Sequence, residues 1–208
     1  MTVSPERILE LLAPFLESRE LSPPQITSVK IYLDLLIKWN ATISLTAIRD
    51  PEEIVTRHFG ESLFAARHLL AHTVEDVADL GTGAGFPGIP LKIWDSSIRL
   101  ALIESNHRKA VFLRETIRAL RLTDVAVENI RADQIPGRYN LVTLRAVETF
   151  EAVLPVAGSL VRAKGRLALL IGETQVAHAK ATLLNLSWQE PIAIPLSRNR
   201  CLLVAQVS

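Results

Sequence analysis

The chain has 208 residues, a formal net charge of +1 at pH 7 and 49% hydrophobic residues. This length predicts one α/β domain of ordinary size, whose core needs neither a disulfide nor a structural metal. The single cysteine, Cys201, excludes an internal disulfide and a cysteine-rich zinc site. No apolar run approaches the roughly 18 residues of a membrane span, and the N-terminus carries no basic segment with a cleavage site, so we expect a cytoplasmic protein. The near-neutral charge neither indicates nor excludes a nucleic-acid partner.

The first part of the chain is predicted to be helical. Apolar residues at three- and four-residue spacing follow Pro5, and a second such set follows the Ser-Pro-Pro break at 22–24. The two sets predict two amphipathic helices. Asp50-Pro51 begins a third helix, because an acid caps a helix and proline fits its first turn. The stretch 38–49 before it looks like a loop. We therefore predict an N-terminal helical extension, 1–72, packed as one domain with a core at 73–208.

From residue 74 onward, strand and helix signals alternate, which predicts βαβ units and a parallel sheet. The candidate strands are 74–80, 98–104, 125–130, 139–145, 165–171, 188–195 and 201–207, and the clearest helices are 106–122 and 150–161. Only residues 196–200 separate the last two strands, a link that permits a hairpin but not a parallel crossover. The prediction is a Rossmann-like, seven-stranded, mostly parallel sheet with an antiparallel C-terminal hairpin. This ending is typical of class I S-adenosylmethionine-dependent methyltransferases and favours them over a six-stranded parallel dehydrogenase.

A glycine-rich loop follows the first predicted strand of the core. Asp79 ends that strand, and Gly81, Gly83 and Gly85 follow at alternate positions. Glycine reaches positive φ and lets a ligand approach the backbone, and a helix that begins after such a loop presents N–H groups to a nucleotide-like ligand. Two interpretations stay open. The spacing Gly-x-Gly-x-x-Gly from Gly83 fits a dinucleotide fingerprint, whereas acid-x-Gly-x-Gly-x-Gly from Asp79 resembles motif I of the methyltransferases.

Three charged residues follow the next three strands at the same predicted edge of the sheet. Glu104 ends the second strand about 20 residues after the loop, where a carboxylate binds ribose hydroxyls in both interpretations. Asp133 follows the third strand, where a carboxylate can read an adenine amino group. Arg145 ends the fourth strand, at the carboxyl edge where open α/β folds bind ligands. A charge after the apolar segment 141–144 is hard to explain by packing, so we predict a functional role for Arg145.

Two absent features narrow the chemistry. Methyltransferases that act on exocyclic amines usually carry an Asn/Asp-Pro-Pro-aromatic motif after strand four, and residues 144–147 are Leu-Arg-Ala-Val. Methylation of pyrimidine C5 needs a cysteine nucleophile, and Cys201 is poorly placed in an apolar strand. Guanine N7 needs neither, because its lone pair attacks a methyl group directly and no proton has to leave first. Catalysis would then rest on alignment and electrostatics.

Several segments together resemble one known family. They are Lys38-Trp39-Asn40, Leu45-Thr46, Arg49-Asp50-Pro51, Arg57-His58, the loop 79–90, Glu104-Ser105, Phe112-Leu113-Arg114, Arg145-Ala146 and Arg200. The chain resembles, over most of its length, the bacterial small-subunit ribosomal RNA guanine-N7 methyltransferases (RsmG, or glucose-inhibited division protein B). The extended loop and the upstream Trp-Asn and Arg-His segments are far more specific than the glycines alone.

The resemblance implies that S-adenosyl-L-methionine methylates guanine N7 in the 530 loop of 16S ribosomal RNA, with the RNA or the small ribosomal subunit as partner. It implies no metal and no membrane, and we expect a monomer. The cofactor-binding residues that it implies are Asp79, Gly81, Gly83, Gly85, Phe86, Glu104, Ala132, Asp133 and Arg145. Arg145 would also lie beside the target base as the catalytic residue. The residues that it implies contact RNA are Lys38, Arg49, Arg57, His58 and Arg200.

The chain departs from the family pattern at three positions. Ser44 stands where the family usually has asparagine, and Glu61 where it has aspartate. Ile171 stands where the family usually has a lysine after strand five, which removes a positive charge near the substrate edge. This last departure keeps open a non-catalytic RNA-binding or ribosome-assembly protein on a methyltransferase scaffold. A more remote alternative, based on the dinucleotide spacing, is a nicotinamide-dependent oxidoreductase.

Overall fold

The computed structural model describes residues 3–71, 76–146 and 149–207. Its α-helices are α1 (Pro5–Leu16), α2 (Pro23–Asn40), α3 (Pro51–Ile54), α4 (Glu61–Leu69), α5 (Gly88–Trp94), α6 (His107–Leu120), α7 (Phe150–Ser159) and α8 (Val176–Thr182). A π-helical turn, Val55–Gly60, joins α3 to α4. The strands are β1 (Asp76–Leu80), β2 (Arg99–Ile103), β3 (Val125–Glu128), β4 (Tyr139–Arg145), β5 (Val161–Gly172), β6 (Ser187–Trp188), β7 (Ile192–Ala193) and β8 (Arg200–Gln206).

The strands form one sheet in the order β3-β2-β1-β4-β5-β8-β6, and β7 also pairs with β8. Strands β1 to β5 are parallel, and β8 is antiparallel to β5, β6 and β7. Both faces of the sheet are covered, because alternate strand residues enter two apolar clusters, one with α1, α2, α4, α5 and α6 and the other with α7 and α8. The predicted mostly parallel sheet with an antiparallel C-terminal strand is confirmed.

Several predicted boundaries were wrong. The single strand expected at 188–195 is two short strands, β6 and β7, because Pro191 between them has no N–H to donate to a ladder. Strand β5 begins at Val161, earlier than the predicted 165. The start of the first predicted strand, residues 74 and 75, lies outside the described residues, as does the predicted boundary between extension and core.

The stretch expected as a loop at 38–49 is partly helical, since α2 continues to Asn40. The side-chain oxygen of Asn40 then accepts hydrogen bonds from the backbone N–H groups of Leu45 (2.9 Å) and Thr46 (3.1 Å). A buried amide at the end of a helix therefore shapes the turn that follows. The next helix start was predicted correctly, because Asp50 caps α3 by accepting from the N–H of Glu53 at 2.8 Å.

Tyr32 of α2 joins the helical extension to the glycine loop. Its side chain is completely buried, and its hydroxyl donates to the carbonyl oxygen of Ala84. The Tyr32 ring stacks on Phe86, with ring centroids 5.1 Å apart, and meets Phe59 edge-on at 5.0 Å. Because these rings belong to both parts of the chain, the extension forms one wall over the loop.

Gly85 is the glycine that this packing requires. Its φ is +94°, and an added Cβ would lie 2.5 Å from the Tyr32 hydroxyl and 2.6 Å from Ile89. We expect Gly85→Ala to lower the free energy of unfolding by about 2–5 kcal/mol, from backbone strain and overpacking together. Urea denaturation measures this loss. The matched control is Gly172→Ala, where the nearest atom is 3.6 Å from the added Cβ; equal losses in the two variants would contradict the packing argument.

Across the part of the chain that the structure describes, no helix has the length and apolar character needed to cross a membrane.

Candidate active site

Two adjoining cavities open at the carboxyl edge of β1, β2 and β4. The smaller has a volume of about 220 Å³, and the larger about 890 Å³. Gly81, Glu104, Ser105 and Thr149 line both of them. This is the edge at which open α/β sheets bind ligands.

Asp79 lies beneath the glycine loop and lines neither cavity. Its buried carboxylate accepts hydrogen bonds from the hydroxyls of Thr82 and Thr143 and from the N–H of Gly88, the last at 2.9 Å. The protein's own carboxylate thus occupies the anion position at the first residue of α5. The N–H of Gly88 is therefore not free for a ligand, and the prediction that this helix end presents its N–H groups to a nucleotide-like ligand is wrong for that residue. Asp79 therefore stabilises the glycine loop through its bonds to Thr82 and Gly88 and does not face a ligand.

Burial raises the pKa of the Asp79 carboxyl from 3.8 to about 6, against the lowering effect of its three hydrogen bonds. Because the folded pKa lies above the unfolded one, the folded chain binds more protons between about pH 4 and pH 6 and loses stability as the pH rises through this window. We expect this group alone to lower the free energy of unfolding by roughly 2 kcal/mol from pH 4 to pH 6. Urea denaturation of the wild type and of Asp79→Asn at several pH values tests this, and a pH-independent difference between them would contradict it.

Glu104 is fixed at the rim of both cavities. One carboxylate oxygen accepts from the N–H of Gly83 at 3.0 Å, and the other accepts from the N–H of Asn106 at 2.7 Å. Each oxygen keeps a further lone pair for a ligand. Ala132 and Asp133, in a short 3-10 turn after β3, line the smaller cavity with apolar side chains of β2 and α7. A cavity lined by apolar side chains and two carboxylates, Glu104 and Asp133, suits an adenosine group, so these residues could hold the cofactor that the sequence implied.

Phe86 lies between the extension and the cavity. Its ring stacks on the Tyr32 ring and also on the His58 imidazole, with the Phe86 and His58 ring centroids 4.9 Å apart. His58 and Phe86 both line the larger cavity. Phe86 therefore fixes the position of the imidazole in the cavity wall.

Glu61 is the centre of a buried ion cluster that sequence reasoning missed. Its carboxylate meets Arg57 Nε at 3.1 Å, Arg145 Nη2 at 3.0 Å and Arg200 Nε at 3.1 Å, and the side chain is 1% exposed. Arg145 is 8% exposed, and its Nε has no hydrogen-bond partner among the described residues. Three guanidinium groups facing one carboxylate leave an excess of positive charge beside the larger cavity. The only sequence signal was the i, i+4 spacing of Arg57 and Glu61.

The π-helical turn brings Arg57 and His58, which form one of the segments that resemble the family, to this cluster. Arg145 Nη2 donates to the carbonyl oxygen of Arg57 at 2.7 Å, and Arg145 Nη1 lies 2.9 Å from His58 Nδ1. Burial, together with the charges of Arg145, Arg57 and Arg200, lowers the pKa of His58 to about 3. His58 is therefore a neutral residue of the cavity wall at neutral pH. Irregular helical turns of this kind are frequent at functional sites.

The other residues implied to contact RNA are spread more widely. Arg49 is exposed at the larger cavity, where its guanidinium donates to the carbonyl oxygen of Asn40 at 3.0 Å. Lys38 is exposed on α2 and lines neither cavity. Arg57 is 43% exposed and Arg200 20% exposed, so both bridge the buried cluster and the surface.

Ile171, which replaces the usual lysine, lies inside β5 and not after it. The side chain is 3% exposed and packs in the apolar cluster under α7 and α8, opposite Cys201 of β8. It lines neither cavity. Within the described residues, no three His, Cys, Asp or Glu side chains form a group that could hold a metal ion.

The sheet order, the glycine loop and the acid after β2 define the class of protein: the fold is that of the S-adenosylmethionine-dependent methyltransferases. A crystal structure of magnesium protoporphyrin IX methyltransferase (ChlM) from Synechocystis PCC 6803 with bound SAM has a TM-score of 0.64 and 15% sequence identity. The match covers 92% of this chain and 100% of that one. Identity this low shows the fold alone.

The sequence identifies the family. The family model described as rRNA small subunit methyltransferase G matches residues 25–197. A ribosomal RNA small subunit methyltransferase G from Xylella fastidiosa (strain 9a5c) is 40% identical over 183 residues, which are 87% of this chain and 84% of the relative. One from Stenotrophomonas maltophilia (strain K279a) is 42% identical over 179 residues, 85% of this chain and 80% of the relative. This chain belongs to the rRNA small subunit methyltransferase G family. Its family and its fold both imply that the cofactor is S-adenosylmethionine.

Proposed function

We propose that this protein methylates N7 of a guanine in the 530 loop of 16S ribosomal RNA. Family membership supports methyl transfer to ribosomal RNA, and the chemistry of the larger cavity supports the choice of atom. When bound, S-adenosylmethionine supplies an electrophilic methyl group on a sulfonium sulfur. The remaining steps depend on how this chain binds and orients its two ligands.

The observation that carries the proposal is that, among the described residues that line the larger cavity, no side chain is suited to remove a proton. Among its described lining residues, two could accept one, Glu104 and His58. Glu104 is engaged by two backbone N–H groups, and His58 has a pKa of about 3 and accepts from Arg145. Amine or hydroxyl acceptors would need a general base close to neutral pKa. Guanine N7 carries a free lone pair and needs none.

The chain's own residues would then act by position and charge. Glu104 would hold the ribose hydroxyls of the cofactor, and Asp133 with Ala132 its adenine. The apolar stack around Phe86 would close the cavity on the side of the extension. The positive charge of the Arg145 guanidinium, in the wall of the larger cavity, would act on the bound ligands. The three arginines of the cluster carry more positive charge than Glu61 neutralises, and Arg49 adds a further positive charge at the rim of the larger cavity. This charge would attract the RNA phosphates.

The test is methyl transfer from labelled S-adenosylmethionine to small ribosomal subunits and to protein-free 16S RNA, followed by nucleoside analysis of the digest. Large-subunit particles serve as the control substrate. We expect the label in 7-methylguanosine from small-subunit material only. Label in another nucleoside would refute N7 as the acceptor atom. No label, with S-adenosylhomocysteine still raising the melting temperature, would refute the substrate, and stabilisation by NADH alone would refute a methyltransferase.

A further inference from the structure

The hydroxyl of Thr46 has a fixed orientation of donors and acceptors. It accepts a hydrogen bond from the N–H of Ile48 at 3.1 Å and lies 2.7 Å from His58 Nε2. The side chain lines the larger cavity. Which partner donates in the contact with His58 decides what Thr46 can offer to a ligand.

Arg145 settles that question. Its Nη1 lies 2.9 Å from His58 Nδ1, and a guanidinium nitrogen can only donate. Nδ1 therefore accepts, and the proton of the neutral imidazole is on Nε2. The Nε2–H group then donates to Thr46 Oγ1, whose two acceptor positions are filled by His58 and Ile48. What remains is the hydroxyl proton, for which no acceptor is found among the described residues.

We propose that Thr46 determines base specificity by donating this hydroxyl proton to O6 of the target guanine. The inference rests on the proposed methylation of guanine N7. On guanine, N7 and O6 are adjacent acceptors, whereas adenine carries N7 beside the N6 amino donor. A donor aimed at N7 itself would block the attacking lone pair, so we assign the Thr46 hydroxyl to the adjacent acceptor, O6.

The filled acceptor positions make this recognition selective. An ordinary threonine hydroxyl can rotate to accept from an amino group as readily as it donates to a carbonyl group. Thr46 cannot do so without losing its bond from His58 or Ile48. With adenine, two donors would face each other, and a site built to hydrogen-bond one group rejects an analogue that cannot pair with it. Arg145, acting through His58, is thus a positioning residue for the Thr46 hydroxyl.

The test couples a protein change to a base change. Thr46→Val removes the hydroxyl at nearly constant shape, and Thr46→Ser retains it as the matched control. Each protein is assayed in single-turnover methyl transfer on small-subunit RNA that carries guanine or 2-aminopurine at the modified position. 2-Aminopurine keeps N7 but has hydrogen in place of O6. Cofactor affinity is measured in parallel by calorimetry.

We expect Thr46→Val to lower kcat/KM on the guanine RNA about tenfold, the rate equivalent of one neutral hydrogen bond. On the 2-aminopurine RNA, wild type and Thr46→Val should react equally, and Thr46→Ser should behave as wild type on both. Equal losses for Thr46→Val on both RNAs would overturn the proposal, because they would show a structural role. A wild type that forms no 7-methylguanosine on the guanine RNA would instead refute the proposed function itself.

Discussion

Replacing Glu61 by glutamine is expected to lower the free energy of unfolding by about 3–5 kcal/mol, because it leaves buried cations without their counter-charge. Glu61 is the carboxylate that Arg57, Arg145 and Arg200 share, and its side chain is 1% exposed. Glutamine keeps the shape and one acceptor oxygen but removes the negative charge. The guanidinium groups cannot lose their protons, so their uncompensated charge can reach water only if this part of the fold opens locally.

Urea denaturation of Glu61→Gln measures this loss. The matched control is Glu10→Gln on α1, whose carboxylate also pairs with an arginine, Arg7, but is 65% exposed. Exposed pairs are worth less than about 1 kcal/mol, so the control should hardly change stability. A Glu61→Gln variant that is as stable as the control would show that the cluster is not held together by this carboxylate.

Replacing Arg145 by alanine is expected to slow methyl transfer at least tenfold, a barrier increase of about 1.4 kcal/mol or more. The variant should still fold, because Glu61 keeps Arg57 and Arg200 as partners. The change removes a positive charge from the wall of the larger cavity and also the Nη1 donor to which His58 Nδ1 accepts. We therefore expect a lower kcat, with cofactor affinity changing less.

The control for Arg145→Ala is Arg99→Ala, at the opposite end of the strands, where Arg99 pairs with Asp76 at 2.7 Å. Single-turnover methyl transfer on small ribosomal subunits gives the rates, and circular dichroism with urea denaturation verifies the fold. Full activity in Arg145→Ala would remove this residue from the site. Equal slowing in both variants would point to a general loss of stability.

The parts of the site that the sequence predicted are those in which spacing along the chain determines position in space. In a parallel sheet every strand ends at the same edge, so Glu104, Asp133 and Arg145 could be placed near the glycine loop from strand periodicity alone, whereas Ala132 came from the family resemblance. In the structure Glu104, Ala132 and Asp133 line the smaller cavity, and Arg145 lines the larger. The roles of these residues toward the cofactor and RNA remain proposals.

The parts that the sequence did not predict depend on packing between distant segments. Glu61 and Arg145 are 84 positions apart, and no local pattern indicates that a helix of the extension places its carboxylate against the end of β4. Tyr32 looked like one more apolar-face residue of α2, and its hydroxyl bond to Ala84 follows only from the docking of that helix on the loop. The motif placed Asp79 at the cofactor, but in the structure its carboxylate accepts from the N–H of Gly88 and lines neither cavity.

Attack by guanine N7 is tested most directly by single-turnover methyl transfer to small-subunit RNA in which the modified guanine is replaced by 7-deazaguanine. This base keeps O6 and the pairing edge, but a C–H group stands in place of N7, so no lone pair is available. We predict that the wild-type protein binds this RNA as it binds the guanine RNA and transfers no methyl group to the substituted nucleotide. Transfer to that nucleotide at the rate measured for guanine would contradict N7 as the acceptor.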